Sequence, residues 1–145
     1  YMVRKAIPPN AQILGYSGVI PFAAAAFLVA LDSFGMRQAA LDGFLIYSAV
    51  ILSFLGGIRW GAAASASTAS GRGLVVSVIP SLWAAFFLWW PSDHISAWGL
   101  MAGFILIGLA DWLYPGLKVA AWMLPLRVRL TLAVVACHLV VIAVM

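Results

Sequence analysis

Glutamate is absent from this chain, and lysine and arginine together number 8 in 145 residues. Charged residues make up 8% of the sequence, where a soluble domain carries about a quarter. That scarcity excludes an ordinary water-facing surface. The single cysteine, Cys137, lies inside an apolar run, which excludes an intrachain disulfide framework and a cysteine-based metal site. No HExxH, CxxC or glycine-rich phosphate loop occurs. No Ser/His/Asp set falls at one depth, so the expectation is a protein that is not an enzyme and holds no metal or dedicated cofactor. The basic residues form no run or stripe, and the net charge of +4 therefore carries no nucleic-acid footprint.

What the chain has instead is apolar length. Hydrophobic residues reach 66% and the mean hydropathy is +1.10. A helix needs about 20 apolar residues to cross the bilayer core. Five runs approach that length, at residues 11–31, 41–64, 73–90, 95–114 and 126–145. They are separated by Asp32-Ser33-Phe34-Gly35, by a small-residue tract at 64–71, by Pro91-Ser92-Asp93, and by the stretch from Pro115-Gly116 to Pro125. Lipid offers no partners to backbone groups, so such runs are helices. The expectation is an all-α integral membrane protein, one membrane domain over residues 1–145 folded as a five-transmembrane-helix bundle. The chain opens at Tyr1, and its first run is long and has no small-residue cleavage site, so it reads as a span rather than a signal peptide.

Orientation follows from the basic residues. With the N-terminus inside and the C-terminus outside, Arg4, Lys5, Arg59, Arg72, Lys118, Arg127 and Arg129 gather on the inner side, and only Arg37 is left outside. Gly57-Ile-Arg-Trp-Gly61 and Gly99-Leu-Met-Ala-Gly103 have the small-xxx-small spacing that permits close helix contact. Pro21 and Pro80 predict kinks, with Ser77 and Ser81 placed to satisfy the backbone near Pro80.

Ionisable residues inside a membrane are costly, and each is a candidate site. Asp111 is the sole acid near the inner boundary, facing Arg59, Arg127 and Arg129 and flanked by Trp60 and Trp112. A carboxylate at that depth pairs with a guanidinium, and Arg59 is the expected partner. Two readings stay open: a structural ion pair pinning the second span to the fourth, or a site in which excess positive charge holds a lipid phosphate or another anionic head group. Tyr16, Tyr47 and His138 form a second, intramembrane polar set. His138 lies about halfway along the fifth span and His94 at the outer boundary, so the two cannot bracket one haem; a neutral histidine bonded within the bundle is the plainer reading of His138.

Three segments carry a family resemblance: Leu14-Gly15-Tyr16-Ser17-Gly18-Val19-Ile20-Pro21-Phe22, the stretch from Tyr47 to Gly61 ending in Phe54-Leu55-Gly56-Gly57-Ile58-Arg59-Trp60-Gly61, and Leu124-Pro125-Leu126-Arg127-Val128-Arg129-Leu130-Thr131. Together they resemble the transmembrane-protein-69-like family, small multi-span proteins of bacterial and mitochondrial inner membranes. The resemblance implies no reaction or cofactor. It does imply that the Arg59 and Arg127 segments matter together. Two functions from different classes follow. One is an accessory or assembly subunit of a larger inner-membrane, bioenergetic complex. The other is a module that binds or transports a lipid, a quinone or a small apolar ligand at the inner face. Membrane lipids are expected partners in both.

Overall fold

The computed structural model of the protein describes residues 6–31, 35–65, 71–113 and 122–145. Arg4, Lys5, Asp32, Ser33, Phe34, Tyr114, Pro115, Gly116, Lys118 and the middle of the small-residue tract lie outside the described residues. Among the described residues all regular structure is helical: α1 (Pro9–Ser17), α2 (Ile20–Leu31), α3 (Arg37–Ala64), α4 (Gly71–Trp89), α5 (Asp93–Leu113) and α6 (Met123–Val144). Five stretches of helix are long and apolar enough to cross a membrane, with α1 and α2 together making the first.

That first span is broken, where the apolar run predicted a kinked but continuous helix. Pro21 has no N–H for the Ser17 carbonyl, so the regular ladder cannot pass it. The Val19 N–H turns instead to the Tyr16 carbonyl at 3.1 Å, a tighter i−3 bond. The Tyr47 hydroxyl donates to the Gly18 carbonyl at 2.7 Å and ties the break to α3.

The later helices all begin earlier than their apolar runs, α3 at Arg37, α4 at Gly71, α5 at Asp93 and α6 at Met123. Arg37 and Gln38 belong to α3 because their side chains find partners across the bundle. Gln38 donates to Asp42 at 2.8 Å and to Asp93 of α5 at 3.3 Å, and Arg37 donates to the Val144 carbonyl of α6. In α5, Asp93 sits in the first turn, where the helix dipole favours a carboxylate. In α6, Pro125 lies in the first turn, where its missing N–H removes no helix bond.

The core is aromatic at its centre. Phe22, Phe44 and Phe104 come from α2, α3 and α5, are essentially buried, and meet edge to face, with Phe22 5.6 Å from Phe44 and 6.1 Å from Phe104. Around them the helices close on small residues. Gly103 lies against Leu52 and Trp83, Gly99 against the Phe87 ring, and the Trp83 indole donates to the Gly99 carbonyl at 2.7 Å. Gly56 admits the Ser77 carbonyl and Pro80 of α4. The spacing argument had pointed to Gly57 and Gly61, yet both face open space. The packing glycine of that helix is their neighbour Gly56. The serines beside Pro80 also differ from expectation. Ser77 and Ser81 donate to Leu74 and Val78, whereas the carbonyl that Pro80 deprives of its donor belongs to Val76.

A methyl group at position 99 collides with the Phe87 ring, while one at 57 meets nothing. Gly99→Ala is therefore expected to destabilise the bundle by about 1–3 kcal/mol, with Gly57→Ala near neutral, in thermal unfolding of the detergent-solubilised protein.

Candidate functional site

Three register stripes converge at one end of the bundle. On α5 the buried residues Leu100, Phe104 and Ile107 continue at helical spacing to Asp111. On α3 the stripe Leu52 and Gly56 continues to Arg59, and on α6 His138 and Val134 lead back to Arg127. Each charged side chain is thus placed inward by the face that forms the core, not by its own preference. All three are buried, with side-chain exposures of 10%, 6% and 8% for Arg59, Asp111 and Arg127.

The Asp111 carboxylate is divided between the two arginines. Arg59 Nη1 donates to Oδ1 at 2.6 Å, and Arg127 Nη2 stands 2.9 Å from Oδ2. The expected Arg59 pairing is present, and Arg127 joins it on the other oxygen. Two guanidinium groups around one carboxylate leave a net single positive charge out of water. The second contact is also off the hydrogen-bonding direction, so Arg127 Nη2 is buried without an acceptor among the described residues.

Two apolar clefts open beside the triad, each headed by one arginine and each of about 190 Å³. The Arg59 cleft lies between α3, α4 and α5, with Pro80, Trp83 and Gly103 in its walls. The Arg127 cleft lies between the broken first span, α3 and α6, with Phe22, Phe104 and Thr131 in its walls.

The remaining sequence candidates are not brought into the triad. Trp60 and Trp112 are 48% and 68% exposed, and Arg129 is exposed as well. Trp112 and Arg129 share a separate shallow groove with Leu124, Pro125 and Val128. Nor do Tyr16, Tyr47 and His138 form one polar site. Tyr16 is exposed on α1, and Tyr47 is engaged with Gly18. His138 is fully buried and has a neighbour at both nitrogens, with Nδ1 2.8 Å from the Val134 carbonyl and Nε2 3.1 Å from the Ser48 hydroxyl. A carbonyl only accepts, so Nδ1 carries the hydrogen; the Ser48 hydroxyl also stands 2.7 Å from the Phe44 carbonyl, and its one hydrogen serves either that carbonyl or Nε2. Phe22, Phe44 and Phe104 surround the ring. Ser48 was absent from the candidates; its place eleven residues before Arg59 and on the core stripe of α3 is the signal that marks it.

Helices long enough to span, a lipid-like exterior and an internal ionic triad define the class: a polytopic helical membrane protein with a charged cluster inside its bundle. Residues 7–143 match the family described as "Protein of unknown function (DUF3429)", and the chain belongs to it. It is 32% identical to Transmembrane protein 69 of Xenopus tropicalis over 140 residues, covering 90% of this chain and 53% of that protein. The chain thus spans about half the length of that relative, and the resemblance read from its three motifs is borne out. No solved structure matches it.

Removing the carboxylate leaves two buried cations facing each other. Asp111→Asn is expected to cost about 3–5 kcal/mol in thermal unfolding, whereas Arg129→Ala, at an exposed position, stays within about 0.5 kcal/mol.

Proposed function

We propose that this protein is a non-catalytic module of a bacterial or mitochondrial inner membrane that binds the anionic head of an apolar ligand at its arginine end. The observation that carries the reading is the surplus charge: one carboxylate, two arginines, and a buried Arg127 nitrogen that touches the carboxylate yet has no hydrogen-bond acceptor among the described residues. A buried cation of this kind is stabilised by an anion with hydrogen-bonding oxygens, which a lipid phosphate or carboxylate supplies and a neutral quinone does not. The adjoining apolar clefts suit the hydrocarbon part of such a molecule. The positive-inside rule puts this end, with Arg59, Arg72, Arg127 and Arg129, on the inner face, the N-terminus inside and the C-terminus outside.

A second reading, an accessory subunit of a larger complex, draws on a different feature. Gly57 and Gly61 lie on an open strip of α3 between the exposed Phe54 and Trp60, where a partner helix can approach closely.

Native mass spectrometry of the protein gently extracted from its own membrane separates the two. The ligand reading expects a monomer or small homo-oligomer with one defined extra mass, diminished in Arg127→Gln. A larger assembly of fixed stoichiometry without that mass contradicts it and supports the subunit reading.

A further inference from the structure

The geometry points to the Arg127 cleft, rather than the Arg59 cleft, as the seat of a single-chain lipid anion: a carboxylate or phosphate monoanion on one hydrocarbon chain. This rests on the anionic-ligand reading above and specifies which cleft, which head and how many chains.

The two arginines are not equivalent. Arg59 donates a well-formed bond to Asp111 at 2.6 Å. Arg127 is equally buried, its side chain 8% exposed, yet among the described residues Nη2 has no hydrogen-bond acceptor although the carboxylate is 2.9 Å away. The free donor capacity therefore lies on the Arg127 side, and Arg127 lines the cleft there. A carboxylate or phosphate oxygen placed in that cleft gives Nη2 a charge-assisted partner.

The walls below the head suit a chain. Apart from Arg127 and Thr131 the side chains are apolar, among them Val19, Ile51 and Val134, and the rings of Phe22 and Phe104 line the cleft as well. From Arg127 to Val134 along α6 is about 10 Å at the helical rise, so the cleft has a charged end and an apolar end separated by a chain-like distance. Gly15 closes one wall: a Cβ added there would stand 3.1 Å from the Leu130 side chain, so the missing side chain lets α1 pack closely on α6. Leu14 and Phe54 line the cleft and are 73% and 62% exposed, so it opens sideways, where lipid lies, rather than only at the bundle end. At about 190 Å³ the cleft takes a stretch of one chain and not two side by side, and its lateral opening leaves the rest of the chain to the surrounding lipid.

The test uses the purified full chain in a neutral detergent, with palmitate bearing a diazirine in its chain as the probe and peptide mapping of the photoproduct. The expected label concentrates on the break in the first span, α3 and α6, around Val19, Phe54 and Thr131. It falls about tenfold in Arg127→Gln, the scale of one lost charge-assisted hydrogen bond. It falls similarly in Ile51→Trp, which fills the cleft without touching the triad, and persists in Ile79→Trp, which fills the Arg59 cleft. The wild-type map does not depend on the variants folding. Label lost in Arg127→Gln and Ile79→Trp but kept in Ile51→Trp overturns the choice of cleft and leaves the head-group reading standing. Two-chain phosphatidylglycerol displacing the probe more strongly than unlabelled palmitate overturns the single-chain assignment. Label spread over every span and undiminished in Arg127→Gln, or neutral hexadecanol competing as well as palmitate, overturns both readings.

Discussion

The structure depends on one carboxylate. Asp111 is held between arginines from two other helices, and it joins α3, α5 and α6 at a depth where an unpaired ion costs several kcal/mol. In water such a pair would contribute little, because solvent competes for both partners. In an apolar bundle any arrangement of α3 and α5 that separates Arg59 from Asp111 exposes both to lipid. The ionic contact therefore selects one relative rotation and depth of the helices, which apolar side chains alone do not. Its charge imbalance is the other half of the same fact. A purely structural pair needs one arginine, and the second is the feature on which the proposed anion binding rests.

The rest of the bundle is organised so that the triad sits at the end of a rigid frame. Gly56, Gly99 and Gly103 bring α3, α4 and α5 close, and dispersion over those contacts replaces the hydrophobic drive that lipid removes. Farther from the arginine end, His138 and Ser48 meet inside an aromatic box of three phenylalanines. The histidine bonds α6 to α3 eleven residues beyond Arg127, which meets Asp111 of α5, so α6 is fixed at two levels. Tyr47, one residue from Ser48, holds the broken first span onto the same stretch of α3. The wall of the Arg127 cleft is thus set by bonds rather than by packing alone.

Depth was legible in the sequence and rotation was not. The apolar runs located all five spans, and the boundaries placed Asp111 level with Arg59, a pairing the structure contains. A helix in lipid is apolar on every side, so its hydrophobic pattern has little to say about which face turns inward. That is why Trp60, Trp112 and Arg129 entered the candidate cluster at the right depth yet point outward, and why Gly57 was singled out when Gly56 packs. The one rotational signal available was the spacing of charged residues along each span. Arg127 stands seven residues before Val134 and eleven before His138, which puts all three on one helix face. The break at Gly18–Val19 escaped because a proline kink and a full interruption look alike until the Tyr47 bond is seen.

The most direct measurement is a high-resolution experimental structure of the protein extracted with its native lipids, inspected at Arg127. The account predicts elongated density that begins within hydrogen-bonding distance of Arg127 Nη2 and runs between α2 and α6 toward Phe22 and Phe104. An empty cleft, with Arg127 turned into a two-armed hydrogen-bonded pair with Asp111, would contradict it and reduce the triad to a structural clasp.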